Sequence, residues 1–384
     1  MQKASKALLF ILLISALSGI SSSLFLYALK AVTHFREAHL YLIAFLPLFA
    51  VLQLHFNLDW ASRWNLSVPD ILKNSTAAHR IHEAMSALFI LVSSVGTHLF
   101  GGSAGREGVG LIMSASLIDR FCEYFSSLLN RSVIIKCAIA AGFSSMFGTP
   151  MAGAIFAVEL LGFGYKSFLF CLASSFGSSY VTHLLHAPHT TYVVQSPLWN
   201  FNLVIPLLVI ALVSGIGARV FYYGLALMSL AALKVVKNKF LLAFVSTVFV
   251  IAIAYFGNQF HLLGIGVSHI QLTMSEAVPL SDGLLKILLT VLTIGVGLKG
   301  GEVTPLFFIG ACLSNSIGAH LGFQPLSVWS GLGFVSVFAA ATNTPLASSF
   351  VALELFGPQY LPLALITCFL SKLIMAKKSI YRTH

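Results

Sequence analysis

Between Leu8 and Leu29 lie twenty-two residues without a charge, and similar apolar stretches recur at Leu40 to His55, Ala84 to Phe100, Phe201 to Leu233 and Phe240 to Phe256. A run of about 20 apolar residues spans the hydrocarbon core of a bilayer. Further apolar segments, broken by glycines, follow from Leu284 onward. Only 9% of the 384 residues are charged and 58% are hydrophobic, against roughly 25% charged in a soluble domain. Such a chain cannot cover a water-exposed surface with polar side chains. The expected class is an all-α polytopic membrane protein embedded in the lipid bilayer.

Lys3, Lys6, the apolar run behind them and the small residues of Ser15 to Ser23 resemble a signal peptide. The apolar stretch is longer than the 7–15 residues of a signal h-region and heads a series of further spans, so it reads as a first transmembrane helix. The net charge of +10 does not point to nucleic acid, because the basic residues sit at span ends and not on one face. Lys3 and Lys6, then Lys234, Lys237 and Lys239, then Lys372, Lys377, Lys378 and Arg382 follow the positive-inside pattern. They place both termini in the cytoplasm, with an even number of crossings, and the chain in a cell inner membrane. Cys122, Cys137, Cys171, Cys312 and Cys368 are far apart and form no CxxC pair, so neither a disulfide framework nor a zinc site is indicated.

The chain repeats itself. Thr149 to Gly162 (TPMAGAIFAVELLG) and Thr344 to Gly357 (TPLASSFVALELFG) share seven of fourteen positions at an offset of 195 residues, and the glycine-rich stretches beginning at Gly101 and Gly300 are offset by 199. Duplicated halves with interrupted apolar segments are the mark of a transporter whose substrate site lies between the repeats. One membrane domain, 1–384, is expected, with a first repeat of about 1–190 and a second of about 191–384. The polar stretch Ala187 to Asn200 divides them.

Gly101 to Gly108 (GGSAGREG) puts Arg106 and Glu107 at membrane depth, where inserting either ion costs about 2.5–3.5 kcal/mol and marks a functional candidate. The glycines permit a sharp turn into a helix whose first N–H groups lack intrahelical partners, forming an anion cradle around Gly105, Arg106 and Gly108. Glu107 is itself an anion able to fill that cradle, and protonation neutralises it. The bland alternative is an Arg106–Glu107 ion pair capping a helix. Lys299 to Gly310 (KGGEVTPLFFIG) repeats the design. Thr304-Pro305, Thr149-Pro150 and Thr344-Pro345 each read as a helix start, with a threonine cap and proline at N1. Convergent starts of this kind would hold an anion on their dipoles. Phe307 and Phe308 either line the path or pack. Glu159 and Glu354, equivalent in the repeat, read as structural groups that end helices or satisfy backbone donors.

Gly101 to Gly105 also fits G-x-S-x-G, which would make Ser103 the nucleophile of an intramembrane hydrolase, but the flanks lack the strand-turn-helix setting. That reading predicts complete loss of activity in Ser103→Ala. His183, His186 and His189 have metal-compatible spacing beside Pro188 and read as a loop. No HExxH or Walker motif appears, and no metal or cofactor is expected.

GREG at 105–108, Gly-Gly-x-x-x-Pro at 300–305 and the two T-P-x-A helices ending in a glutamate together resemble the CLC family of chloride channels and anion/proton antiporters, across nearly the whole chain. The resemblance implies a homodimer, a pore in each subunit built from two inverted halves with many tilted and half-spanning helices, and Glu107 as the gating glutamate. It implies that Tyr381 contacts the central anion. The family's central serine corresponds to Leu66 in Asn65 to Asp70, a departure that weakens ordinary chloride selectivity. Leu160 stands where chloride/proton exchangers often carry an internal glutamate. GLKGGEVTPLFFIG and THLFGGSAGREG are similar instead to the bacterial fluoride-exporting branch, in which Glu302 and Thr304 would serve proton coupling and fluoride preference. A Thr hydroxyl and backbone N–H groups are compact donors suited to a strongly hydrated fluoride. The resulting expectation is fluoride/proton antiport that exports fluoride. A chloride channel or chloride/proton antiporter of the same fold is the alternative.

Overall fold

Each long apolar run becomes a helix, because a backbone in lipid must satisfy its own N–H and C=O groups. The computed structural model describes residues 2–59, 62–76, 83–197, 201–231 and 238–381. The first half runs through α1 (Gln2–Ala38), α2 (Leu46–Asp59), α3 (Val68–Lys73), α4 (Met85–Leu99), α5 (Glu107–Asp119), α6 (Cys122–Phe125), α7 (Arg131–Phe147), α8 (Pro150–Leu161) and α9 (Tyr165–Leu184). The second contains α10 (Val204–Leu230), α11 (Lys239–Phe256), α12 (Val267–Leu272), α13 (Leu280–Ile294), α14 (Val303–His320), α15 (Leu326–Thr342), α16 (Pro345–Phe356) and α17 (Leu361–Met375). Among the described residues there is no strand, only one bridge between Gly105 and Gly301. Of the basic residues read as cytoplasmic, Lys234, Lys237 and Arg382 lie outside the described residues, as do positions 198–200 of the expected boundary.

Among the described residues, five segments are long and apolar enough to cross a membrane: Lys3–Ala38, Leu40–Leu58, Val204–Leu230, Lys239–Phe256 and Pro358–Met375. They expose apolar side chains outward, including Leu12, Leu24, Leu212, Ile216 and Phe249. The small-residue patch of α1 is a packing face. Ser18 and Ser22 share hydrogen bonds with Ser114 and Ser145 at 2.5 and 2.7 Å, and a Cβ on Gly19 would meet Val181 at 2.6 Å. Close approach through small and hydroxyl side chains is how helices associate where lipid removes the hydrophobic drive.

The inner helices are different. From Val303 to Ser316 in α14 and from Ser327 to Thr342 in α15 every residue is buried. Helices apolar on all sides belong in the middle of the assembly. Several are also short: α8 and α16 have 12 residues each and α5 has 13, so they extend about 18–20 Å at 1.5 Å per residue. That falls short of a core about 30 Å thick, and such helices begin or end at depth.

The repeat is visible in three dimensions. α7 and α15 have 17 residues each and end on left-handed residues, Gly148 (φ 73°) and Asn343 (φ 63°). α8 and α16 follow with a proline in the first turn. The two halves are inverted, because α8 and α16 pack antiparallel. Glu159 at the end of α8 accepts from Leu346 N (3.1 Å) and Ala347 N (2.8 Å) at the start of α16. Glu354 at the end of α16 accepts from Met151 N and Ala152 N, both 2.9 Å, at the start of α8. The structural reading of both glutamates holds.

The same contacts correct the expectation for the neighbouring threonines. Neither Thr149 nor Thr344 makes a side-chain cap: the Thr149 hydroxyl is buried without a partner and that of Thr344 bonds Thr342 at 2.6 Å. The free N–H groups of α8 and α16 are taken by carboxylates from the opposite half, so these two helix starts do not converge on a transported anion. Replacing Glu159 or Glu354 by alanine is expected to lower stability by about 1.5–3 kcal/mol, the worth of a charge-assisted hydrogen bond. Thermal unfolding of the two variants in detergent checks this, and the inverted symmetry predicts similar losses for both.

Candidate functional site: a carboxylate on a helix start between the halves

Two glycine-rich turns cross where the halves meet. Gly105 N donates to Gly301 O at 2.6 Å and Gly301 N to Gly105 O at 2.7 Å. No side chain fits there: a Cβ on Gly105 would lie 2.8 Å from Pro305 Cδ and 2.9 Å from Gly301 O, and one on Gly301 would lie 2.8 Å from Gly108 N. The bridge sets the start of α5 against the start of α14.

Glu107, the first residue of α5, is fully buried. Its Oε2 accepts from the Thr304 amide at 3.0 Å and from the Thr304 hydroxyl at 2.5 Å. It also accepts from the Arg106 amide at 3.3 Å, while Oε1 accepts from Arg106 Nε at 3.1 Å. The carboxylate thus occupies the N-terminal end of α14, where free N–H groups and the helix dipole favour negative charge. α14 starts at Val303 with Glu302 as N-cap, one residue before the threonine-proline pair. Thr304 is therefore inside the first turn, and its hydroxyl serves Glu107 and not the helix end.

Two separate cavities approach this carboxylate, and no residue lines both. One, of about 620 Å³, is lined by Arg106, His189 and Thr190 together with Lys30, His34 and Arg36. Arg106 reaches Thr190 Oγ1 at 3.3 Å. The other, of about 150 Å³, is lined by Gly108, Glu302, Lys299, Leu66 and Ser67. Arg106 and Gly108, on either side of Glu107, therefore line different cavities. Lys299 Nζ donates to Leu66 O at 3.3 Å. Ser67, next to Leu66, is spent on capping α3: Ser67 Oγ and Asp70 Oδ2 are 2.5 Å apart and the Ser67 amide donates to the same oxygen at 2.9 Å.

Tyr381 is buried and its hydroxyl has no hydrogen-bond partner. It lies within electrostatic reach of Glu302 and Glu107, with its ring edge-on to Phe156. Phe307 belongs to the packing: it stacks on Phe334 at 3.9 Å and meets Phe147 and Phe338 edge-on. Of the residues singled out in the sequence, Gly105, Arg106, Glu107, Gly108 and Thr304 share one cluster, Glu302 and Leu66 line the smaller cavity with Gly108, and Tyr381 lies within electrostatic reach of both glutamates.

Sequence reasoning missed the supports. His98 is fully buried and lies 2.7 Å from Ser94 O and 3.1 Å from Ala104 O, tying α4 to the glycine turn. Arg36 Nη1 donates to His98 O at 2.9 Å. A histidine inside an apolar run was the available signal. Thr190 was missed because it falls in the stretch read as a linker. Ser103 is buried between α4 and α5 with its hydroxyl 2.9 Å from Thr290 Oγ1, which is a packing contact and not a nucleophile beside a base. His183, His186 and His189 share a cavity wall, but they do not form a metal-ligand group among the described residues.

The inverted halves, the half-spanning helices and a carboxylate lodged on a buried helix start define a membrane transport protein of the anion-handling kind. The chain belongs to the voltage gated chloride channel family, whose sequence profile matches residues 61–376. A chloride/fluoride channel protein of Pseudomonas syringae pv. tomato is 33% identical over 97% of this chain and 84% of its own length. A voltage-gated ClC-type chloride channel, ClcB, of Escherichia coli is 26% identical over 74% of this chain and 72% of its own. Among solved structures, a CLC-type fluoride/proton antiporter superposes with a TM-score of 0.91 at 31% identity, covering 97% of this chain and 96% of that one.

Gly105→Ala is expected to destabilise the protein by about 1–3 kcal/mol, the usual penalty for forcing extra volume into a packed site. Its Cβ meets a proline ring and a carbonyl that cannot swing away. Thermal unfolding in detergent checks the value, with Ser103→Ala, which removes one of two paired hydroxyls, as a milder comparison.

Proposed function

We propose that this protein exports fluoride in exchange for protons. The observation that carries the reading is the Glu107 carboxylate held by the amide and hydroxyl of Thr304. A carboxylate oxygen and a fluoride ion ask for the same compact donors, so the donors that hold Glu107 can hold fluoride when the side chain withdraws. Protonation removes the charge that fixes Glu107 to the helix start, and deprotonation returns it. One side chain then alternates with the anion and carries the proton the other way.

Fluoride gives up its hydration only for strong, close donors. Thr304 supplies two from one residue, and the unpartnered Tyr381 hydroxyl supplies a third to an anion bound beside Glu107. Leu66 in place of a serine removes a donor from the opposite wall. Glu302, at the edge of the smaller cavity, is the second proton-carrying carboxylate, with Gly105, Arg106 and Gly108 shaping the cradle. Phe307 acts by supporting α14. The fluoride names carried by the Pseudomonas relative and the similar solved structure support this choice of anion. The protein works as a homodimer in a cell inner membrane with both termini cytoplasmic. Apolar faces of α9 and α17, including Leu169, Phe176 and Phe369, are available to the partner or to lipid.

Efflux from liposomes loaded with fluoride or chloride, read with ion-selective electrodes while external pH is recorded, tests the proposal. Fluoride efflux accompanied by opposing proton movement is expected, faster when the outside is the more acidic side, because the incoming proton then moves down its gradient. Glu107→Gln, which cannot gain and lose a proton, is expected to lose proton movement. Thr304→Val, which keeps the shape and removes the hydroxyl, is expected to slow fluoride at least tenfold. Faster chloride than fluoride efflux in the wild type overturns the fluoride assignment.

A further inference from the structure

Away from the gate, three side chains with metal-ligand chemistry meet, one of which, His261, lines the larger cavity. His261, His269 and Asp282 each offer one ligand atom, and these atoms lie within 4.8 Å of one another. They come from three elements: the 3-10 turn Phe260–Leu262, α12 and the first turn of α13. Asp282 Oδ2 lies 2.8 Å from His269 Nε2 and 3.6 Å from His261 Nε2. Ligands at about 2.0–2.1 Å around a tetrahedral zinc stand roughly 3.3 Å apart. The two separations to the aspartate straddle that value and all three ligand atoms lie within 4.8 Å of one another, so seating one ion asks for rotation of the partly exposed His261 ring towards the other two.

A second observation points the same way. His269 is nine-tenths buried, and its Nε2 is paired with the aspartate at 2.8 Å. The second imidazole, that of His261, converges on the same carboxylate oxygen, so two imidazoles and a carboxylate face one point, the donor set a transition-metal ion takes. Nearby Lys286 is directed elsewhere, donating to the Leu262 and Gly264 carbonyls at 2.8 Å each. Ser281 Oγ contacts the other aspartate oxygen, at 3.4 Å, which leaves Oδ2 to the two imidazoles.

We infer that His261, His269 and Asp282 form a binding site for a divalent transition-metal ion of the zinc or nickel type, and that its occupancy slows transport. Two imidazoles and a carboxylate suit such ions, whereas calcium takes six to eight oxygens. His261 is 39% exposed and lines the cavity that also reaches Arg106, which provides entry and an open fourth position. His269 stacks on Phe308 at 5.2 Å, with the rings 15° apart, and Phe308 lies one turn beyond Thr304 on α14. A metal therefore ties the cavity wall to the helix from which Glu107 must detach. The slowing rests on the transport reading given above; the binding does not.

The test uses the full chain purified in detergent. Zinc is titrated by calorimetry and cobalt by its visible absorption, for wild type, His261→Ala, His269→Gln and Asp282→Asn, with His183→Ala as a control. His261→Ala, at an exposed position, is the variant expected to fold normally. One ion per chain, bound at least tenfold more weakly in His261→Ala and unchanged in His183→Ala, is the expected result. In liposomes, zinc is expected to slow fluoride efflux by the wild type and not by His261→Ala. Zinc affinity within twofold of wild type in His261→Ala overturns the site. Binding as expected with efflux unaltered by zinc overturns the regulatory role alone.

Discussion

The pair of backbone hydrogen bonds between Gly105 and Gly301 is the constraint on which the site depends. It joins the halves at the one place where two helix starts must come within carboxylate reach of each other, and it does so in low-dielectric surroundings where an unmade backbone bond is expensive. Only glycine on both sides allows the approach. With the turns fixed, Glu107 needs no further guidance to find Thr304, because the charge lies beside the positive end of α14.

That placement resolves an apparent conflict between burial and charge. A fully buried carboxylate is tolerated because it receives bonds from Arg106 and from both donors of Thr304. The supporting frame is equally well bonded: Arg36 holds His98, and His98 reaches the turn at Ala104. The arrangement is nevertheless one that a single proton can weaken, since most of these contacts are worth more to a charged acceptor than to a neutral one. The glycine bridge and the crossed helix caps are made of groups other than the Glu107 side chain, so its proposed withdrawal would leave them intact.

The crossed caps also explain a discrimination that motif reading could not make. Three threonine-proline pairs look alike in the sequence, yet two of the helices behind them already have their free N–H groups filled by Glu159 and Glu354. Inverted symmetry makes this reciprocal, since each half carries both the helix start and the glutamate that the other half needs. Of the three, only α14 has its first turn bonded to Glu107.

The membrane class, the spans, the duplication and the core of the site were legible because each is written in local terms: apolar run length, a 195-residue offset, glycines beside a buried charged pair. The bounds of α10 and α11 follow the apolar runs to within a few residues for the same reason. The aromatic packing of Phe307, the support from His98, the role of Thr190 and the meeting of His261, His269 and Asp282 were not legible. Each depends on residues brought together across the chain, and nothing in the spacing of a histidine records what lies opposite it. The sequence by itself determined that this protein lives in a membrane, is built twice over and carries an acid at a glycine-rich helix start. The tertiary structure alone decided which helix start that acid occupies, because the inverted packing of the halves fills two starts with fixed carboxylates and leaves the third for Glu107.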